Sequence, residues 1–262
     1  MLFLLVTFVA CKKNELRIIE FDLPTDKSYV RFVLLSPGTP SVMIKVNDVK
    51  INGAATSGSI GFFPSFATLP DYAAIAPNAN FRLSLPNIAT TNDSVLFFNG
   101  TLVTDAGKFY SVTLADTGVD RTVFAIEDKI NTQPDSGFMN IRFINAMAKT
   151  PPLSLIRIDS TSSTIVTRDT IARNIAFKSG SDFINVKISP TNSFLRYRLI
   201  ITGTGIPLGP NLSITSFSVL SKRSTTLYAY GFGNGINTFS PGILGLIYNL
   251  SLIHISEPTR PY

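Results

Sequence analysis

The chain has 262 residues, 45% hydrophobic and only 15% charged, which excludes a disordered polymer and exceeds the roughly 100 residues that one β-sandwich needs. Phe is abundant (20), Trp is absent, and Thr, Ser, Ile and Val crowd a sequence without long Ala/Glu/Lys/Leu runs, so the expected class is all-β. The net charge of +6 sits on lysines and arginines scattered singly, such as Lys45, Lys50, Arg82, Lys108, Arg157 and Lys178, and a chain without a basic stripe is not expected to bind nucleic acid.

The first ten residues, MLFLLVTFVA, are apolar and end at Cys11, after which Lys12, Lys13 and Asn14 turn the chain polar. Ten helical residues reach only about 15 Å, half the hydrocarbon thickness of a bilayer, so the run reads as a secretion signal and not a span. Phe8-Val9-Ala10-Cys11 resembles a lipobox, with Ala10 as the small residue before a cysteine that would carry the lipid. Residues 1–11 are therefore expected to be a lipoprotein signal and 12–27 a spacer. The membrane, through this anchor, is the first expected partner, and the expected location is the outer membrane or cell surface, with the periplasmic face as the other option.

The body of the chain repeats itself. Val30-Arg31-Phe32-Val33 recurs as Ile141-Arg142-Phe143-Ile144, 111 positions later, and Ile44-Lys45-Val46-Asn47 lines up with Ile156-Arg157-Ile158-Asp159. Asp71-Tyr72-x-x-Ile75 matches Asp182-Phe183-x-x-Val186; Arg82-Leu83-Ser84-Leu85 lines up with Arg196-Tyr197-Arg198-Leu199. Period-2 alternation, as in Phe81, Leu83 and Leu85 against Arg82 and Ser84, marks strands. Turn signals stand at Ser36-Pro37-Gly38, Asn52-Gly53, Asn99-Gly100 and Gly231–Gly235. The expected architecture is two tandem immunoglobulin-like β-sandwich domains, 28–128 and 138–249, joined by a polar linker at 129–137 whose first residue follows Asp128.

The opening pattern of Val-Arg-Phe-Val, a Ser-Pro-Gly loop and Met43-Ile-Lys-Val-Asn47 resembles an Ig-like domain of unknown function, domain 4397, found in tandem in lipoproteins of the Bacteroidetes type. The resemblance implies the sandwich fold over 28–249 and brings no catalytic residues with it. At the other end, Leu250-Ser-Leu-Ile-His-Ile-Ser-Glu-Pro-Thr-Arg260 resembles a translated sequencing adapter, so 250–262 is expected to be an artefactual tail. His254, the one histidine, falls inside it.

Without that histidine the chain has no imidazole for a Ser-His-Asp or Cys-His triad, and the lone Cys11 leaves no His/Cys zinc set; no catalytic residue, metal or cofactor is expected. Carboxylate pairs at Asp116/Asp120, Glu127/Asp128 or Asp159/Asp169 would be needed for a hydrolase, and each reads as solvated loop or linker acids. Asp116-Thr-Gly-Val-Asp120 is the nearest approach to a calcium loop. Gly231-Phe-Gly-Asn-Gly235 lacks the following helix that a phosphate loop requires.

Phe62, Phe63, Phe66 and Tyr72 are the candidate ligand-binding aromatics, since consecutive Phe62 and Phe63 point to opposite faces of a strand. Asp93-Ser94-Val95, Asp159-Ser160-Thr161 and Asp169-Thr170-Ile171 resemble an O-glycosylation sequon of Bacteroidetes-type exported proteins, which makes Ser94, Ser160 and Thr170 candidate sites. The leading expectation is a non-enzymatic surface or periplasmic lipoprotein with a binding or structural role toward an unknown protein or glycan. A carbohydrate-binding accessory of a polysaccharide-uptake system is the alternative, and a carboxylate-dependent hydrolase the third reading.

Overall fold

A computed structural model describes residues 24–37, 42–51, 61–63, 65–66, 69–70, 72–86, 93–129, 134–160, 166–188, 194–208, 215–218, 223–233, 238–248 and 255–256. Its elements are strands, with one short 3-10 turn at Gly118–Asp120, so the all-β expectation holds. In the first half they are β1 (Ser28–Leu34), β2 (Met43–Val46), β3 (Val49–Lys50), β4 (Gly61–Phe63), β5 (Ser65–Phe66), β6 (Leu69–Pro70), β7 (Tyr72–Ile75), β8 (Asn80–Pro86), β9 (Asp93–Thr101), β10 (Phe109–Ala115) and β11 (Thr122–Glu127). The second half holds β12 (Phe138–Ala148), β13 (Leu153–Ser160), β14 (Val166–Ile175), β15 (Ser179–Gly180), β16 (Ile184–Lys187), β17 (Phe194–Ile201), β18 (Thr215–Ser218), β19 (Ser224–Gly233) and β20 (Thr238–Tyr248). A last short strand, β21, is Ile255–Ser256.

Each half contributes two sheets with the same pairing. In the first, β1 runs parallel to β10 and antiparallel to β4 and β7, and β11 closes beside β10; the second sheet is β3-β2-β8-β9. In the second half β12 takes the place of β1, parallel to β19 and antiparallel to β15 and β16, with β20 beside β19; its other sheet is β14-β13-β17-β18. The pairing of β11 with β10 through Leu114↔Val123, and of β20 with β19 through Ala229↔Ile243, keeps the repeat in one register to its last strand.

Three apolar layers hold these sheets together. Val30, Phe32 and Leu34 of β1 pack with Ile44, Leu83 and Val112 between the two sheets of the first half. Ile141 and Phe143 of β12 do the same with Leu155, Leu199 and Leu227 in the second. The third layer lies between the halves: Tyr29, Val33 and Leu35 meet Ile144, Ala146 and Tyr228, and Phe124 meets Phe177 edge-on at 6.2 Å between ring centres. The four sheets thus stack as outer, inner, inner, outer. Every residue of β1 is buried, the pattern of a strand covered on both faces and not of one with a wet side.

Several local expectations are corrected. Val46 and Val49 pair across a two-residue hairpin whose central Asn47 and Asp48 have φ of 48° and 64°, the left-handed conformation that such a tight turn demands. Asn99-Gly100 is no turn but part of β9, where Gly100 leaves room for the Phe98 ring; a Cβ there would stand 3.2 Å from it. Gly231 likewise continues β19 at a register shift between Tyr230 and Phe232. Asn52-Gly53 lies outside the described residues.

The second repeat is one residue out of step with the sequence pairing at β13. Inward-facing Val42 and Ile44 answer to inward-facing Leu153 and Leu155, which puts Arg157, not Ile158, at the station of Val46. Because strand faces alternate, this one-residue slip sets Ile156, not Arg157, at the station of Lys45. At the far end, Ile255–Ser256 lies parallel to Tyr72–Ala73 of β7 and does not extend β20, so two residues of the expected trailing tail are paired. The open edge of β7 offers backbone donors and acceptors that any extended segment satisfies. His254 and Arg260 lie outside the described residues. Among the described residues no helix is long and apolar enough to cross a membrane.

Candidate functional site

The densest polar constellation among the described residues is at the seam between the halves. Asp128 directly follows β11, and its backbone N–H extends the ladder by donating to the Phe109 carbonyl at 2.7 Å. This fixes the carboxyl inside the seam, where it is wholly buried instead of solvated at the start of a linker as the sequence suggests. Its Oδ2 accepts from Arg31 Nη2 at 2.9 Å, Tyr72 Oη at 2.7 Å and Ser111 Oγ at 2.7 Å, and its Oδ1 accepts from Arg142 Nη2.

The two arginines are the repeat-related pair, and their surroundings repeat with them. Arg31 Nε donates to Ser111 Oγ at 3.0 Å across the β1–β10 pairing, and Arg142 Nε to Thr226 Oγ1 at 2.9 Å across the β12–β19 pairing. Arg31 stacks over the Tyr72 ring at 4.7 Å and Arg142 over the Phe183 ring at 4.9 Å, again repeat partners. Arg142 Nη1 also donates to the Glu127 carbonyl at 2.8 Å. Asp128 is one residue serving both guanidiniums, and the hydroxyls that join it there, Tyr72 and Ser111, both come from the first half.

Burial raises the carboxyl pKa of Asp128, but the guanidiniums of Arg31 and Arg142, with the bonds from Ser111 and Tyr72, outweigh it and hold the group below the ordinary carboxylate value. A carboxylate kept ionised and saturated with donors has no proton to give and no accessible lone pair to take one, so it acts as a fixed structural anion and not as a general acid.

The other nominated acids that are described each have partners of their own. Asp116 is buried with φ of 65°, its Oδ1 accepting from the Thr117 N–H at 2.8 Å and its carbonyl from Ser36 Oγ. Asp120 is exposed and pairs with Lys149 of the second half. Asp169 lies 3.4 Å from Arg157, and the side chain of Asp159 is outside the described part. No group of three His, Cys, Asp or Glu side chains that would hold a metal occurs among the described residues.

Of the nominated aromatics, Tyr72 is 4% exposed, stacked on Arg31 with its hydroxyl on Asp128, and is therefore a seam residue and not part of a surface platform. Phe62 and Phe63 lie on β4, in register with Val33 and Phe32 of β1, and Phe66 on β5 opposite Leu69; their side chains are outside the described part. Ser94 is on β9, Ser160 ends β13 and Thr170 is exposed on β14, so the three sequon positions are on strands and are not brought together. Cys11 lies outside the described residues.

Sequence reasoning missed the seam because it read Asp128 by its polar neighbours. The signal was present in the repeat itself: an arginine inside an otherwise apolar strand, twice, at Arg31 and Arg142, requires a buried counter-charge.

Comparison with known proteins adds a family. Residues 28–156 match the family described as "Domain of unknown function (DUF4397)", a stretch that runs past the seam into β12 and β13. No curated protein matches. A solved structure described as "Alpha-glucan recognition by family 41 carbohydrate-binding modules from streptococcal virulence factors" aligns with 84% of this chain and 97% of its own at 10% identity, with a TM-score of 0.27, a likeness too distant to bear on fold or ligand.

Proposed function

We propose, from the match of residues 28–156 to the family of domain of unknown function 4397, that the chain is a non-enzymatic, lipid-anchored module of the bacterial envelope. Its two sandwich domains form one body with a binding or structural role. The observation that carries this reading is the Asp128 centre: the one buried, multiply coordinated carboxylate described above is consumed in joining the halves. A protein that spends its strongest electrostatic site on holding two domains in fixed relation is suited to presenting a surface, since turnover would need that site open and its carboxyl free to change protonation. The lipid on Cys11, with 12–27 as spacer, would hold that surface away from the membrane.

The test is fractionation of the protein secreted from its own leader in a Gram-negative host fed labelled palmitate. The wild type is expected in the membrane pellet carrying label, and Cys11→Ala is expected to lose the label and appear in the soluble fraction. Label that persists on Cys11→Ala overturns the anchor. Asp128→Asn in the same experiment addresses the role of the seam: it is expected to lower the thermal midpoint, and a variant that stays fully stable while losing a biological activity of the wild type overturns the structural assignment.

A further inference from the structure

The positive charge that looks scattered along the chain is gathered by the sheet. Lys45 of β2 stands in direct register with Lys50 of β3 on one side and Arg82 of β8 on the other, and Arg82 is in register with Asn99 of β9. Ile44 and Val46, their neighbours on β2, point into the core, so Lys45, Lys50 and Arg82 share the outer face of the first half's outer sheet. Lys50 and Asn99 are exposed, Lys45 and Arg82 half-buried. At a strand spacing of about 4.8 Å the three cations form a row about 10 Å long across the sheet.

Like charges placed directly opposite one another destabilise a sheet, and here two such pairs share one lysine. Asp48, at the turn between β2 and β3, lies 3.1 Å from Arg82 and offsets part of this repulsion while itself remaining 71% exposed. The second half does not repeat the row: the corresponding stations are Thr170, Ile156 and Arg198. The row is thus confined to one of the two duplicated faces.

We propose that the Lys50–Lys45–Arg82 row binds an anionic polysaccharide, one bearing carboxylate or sulfate groups along an extended chain. This rests on the binding role proposed above and names its partner class. A linear array of cations across neighbouring strands, with Lys50 and Asn99 exposed at its two ends, complements a linear array of anions. Asn99 at the end of the row supplies the amide that sugar hydroxyls pair with. None of Lys45, Lys50, Arg82 and Asn99 carries an aromatic ring on which a nucleobase would stack.

The test uses the full chain against immobilised polygalacturonate and dextran sulfate, with neutral dextran as control. Wild type is expected to bind both polyanions, more weakly as salt is raised, and not to bind neutral dextran. Lys45→Gln/Lys50→Gln/Arg82→Gln is expected to lose about tenfold in affinity, with a thermal midpoint little changed because the charges lie at least partly in solvent. Lys50→Glu alone, at an exposed site, is expected to weaken binding in the same direction without threatening the fold. Arg173→Gln/Lys178→Gln/Lys187→Gln removes equal charge elsewhere and is expected to bind as wild type. Undiminished binding by the triple variant, or equal loss in the control variant, overturns the site. Binding to phosphatidylglycerol vesicles or duplex DNA but to neither polysaccharide overturns the partner class. The palmitate experiment is independent of all these outcomes, so a failure of the anchor and a failure of this site are told apart.

Discussion

Arg31 and Arg142 occupy the same station of a repeated motif, yet one carboxylate neutralises both. Removing that carboxylate leaves two buried guanidiniums without a counter-charge, the situation in which breaking a buried ion pair costs about 3–5 kcal/mol. Asp128→Asn keeps the shape and removes the charge, and it is expected to lower unfolding stability by about that amount in urea titrations. The pH dependence follows from the direction of the shift. The folded-state pKa of Asp128 lies below its ordinary value of 3.8, so its contribution is complete above that value and is lost as pH falls through the lower, folded-state pKa. Wild type is therefore expected to lose stability on acidification below about pH 4, and Asp128→Asn to lack that part of the acid limb. An acid limb identical in the two proteins would refute the assignment.

At the scale of elements, much was legible because the period-2 pattern and the 111-residue repeat are strong signals. The strand around Arg31, its copy around Arg142 and the closing register of β11 with β20 follow from them. What failed was local punctuation and step. Asn47-Asp48 makes the tight turn though it lacks glycine, because two residues between paired valines leave no other geometry. Asn99-Gly100 carries the usual turn letters, but Gly100 is small for the sake of the Phe98 ring. The slip at β13 arose because Ile156 looks like a core residue but is only half-buried, whereas Leu153 and Leu155 join the core cluster. The Lys45–Lys50–Arg82 row was hidden for a related reason: register brings together residues that are far apart in sequence. The tail makes a separate test at this scale. Its described part pairs only two residues with β7, so deleting 250–262 is expected to change stability by about 0.5 kcal/mol or less, measured as a shift in thermal midpoint. A larger loss would mean that the segment belongs to the fold.

For the whole molecule, the seam decides how the halves behave when the chain between them is cut. With two independent domains, cleavage would release two bodies. The third apolar layer and the shared Asp128 instead bind the halves to each other, while the exposed pairs Lys149–Asp120 and Lys129–Asp182 add little. A specific protease site placed between Lys129 and Pro134 is expected to yield two fragments that still co-elute on size exclusion at neutral pH. The same cut in Asp128→Asn is expected to let them separate. Separation of the wild-type fragments would show the seam to be weaker than its burial implies.

The parallel pairing of β1 with β10 also sets how the protein answers a mechanical load. β1 is the first described strand, it is hydrogen-bonded along both edges, and it registers with β10 through six successive residues from Tyr29↔Phe109 to Leu34↔Leu114. A pull on the chain ahead of Ser28 runs along the strand and therefore across its interstrand hydrogen bonds, which share the load. The ladder would then have to slip as a unit instead of opening one rung at a time, and Arg31, clamped to Asp128 in the middle of the strand, would have to be dragged out of a site that water does not reach. A body tethered at that end would transmit tension to its neighbours before it yielded.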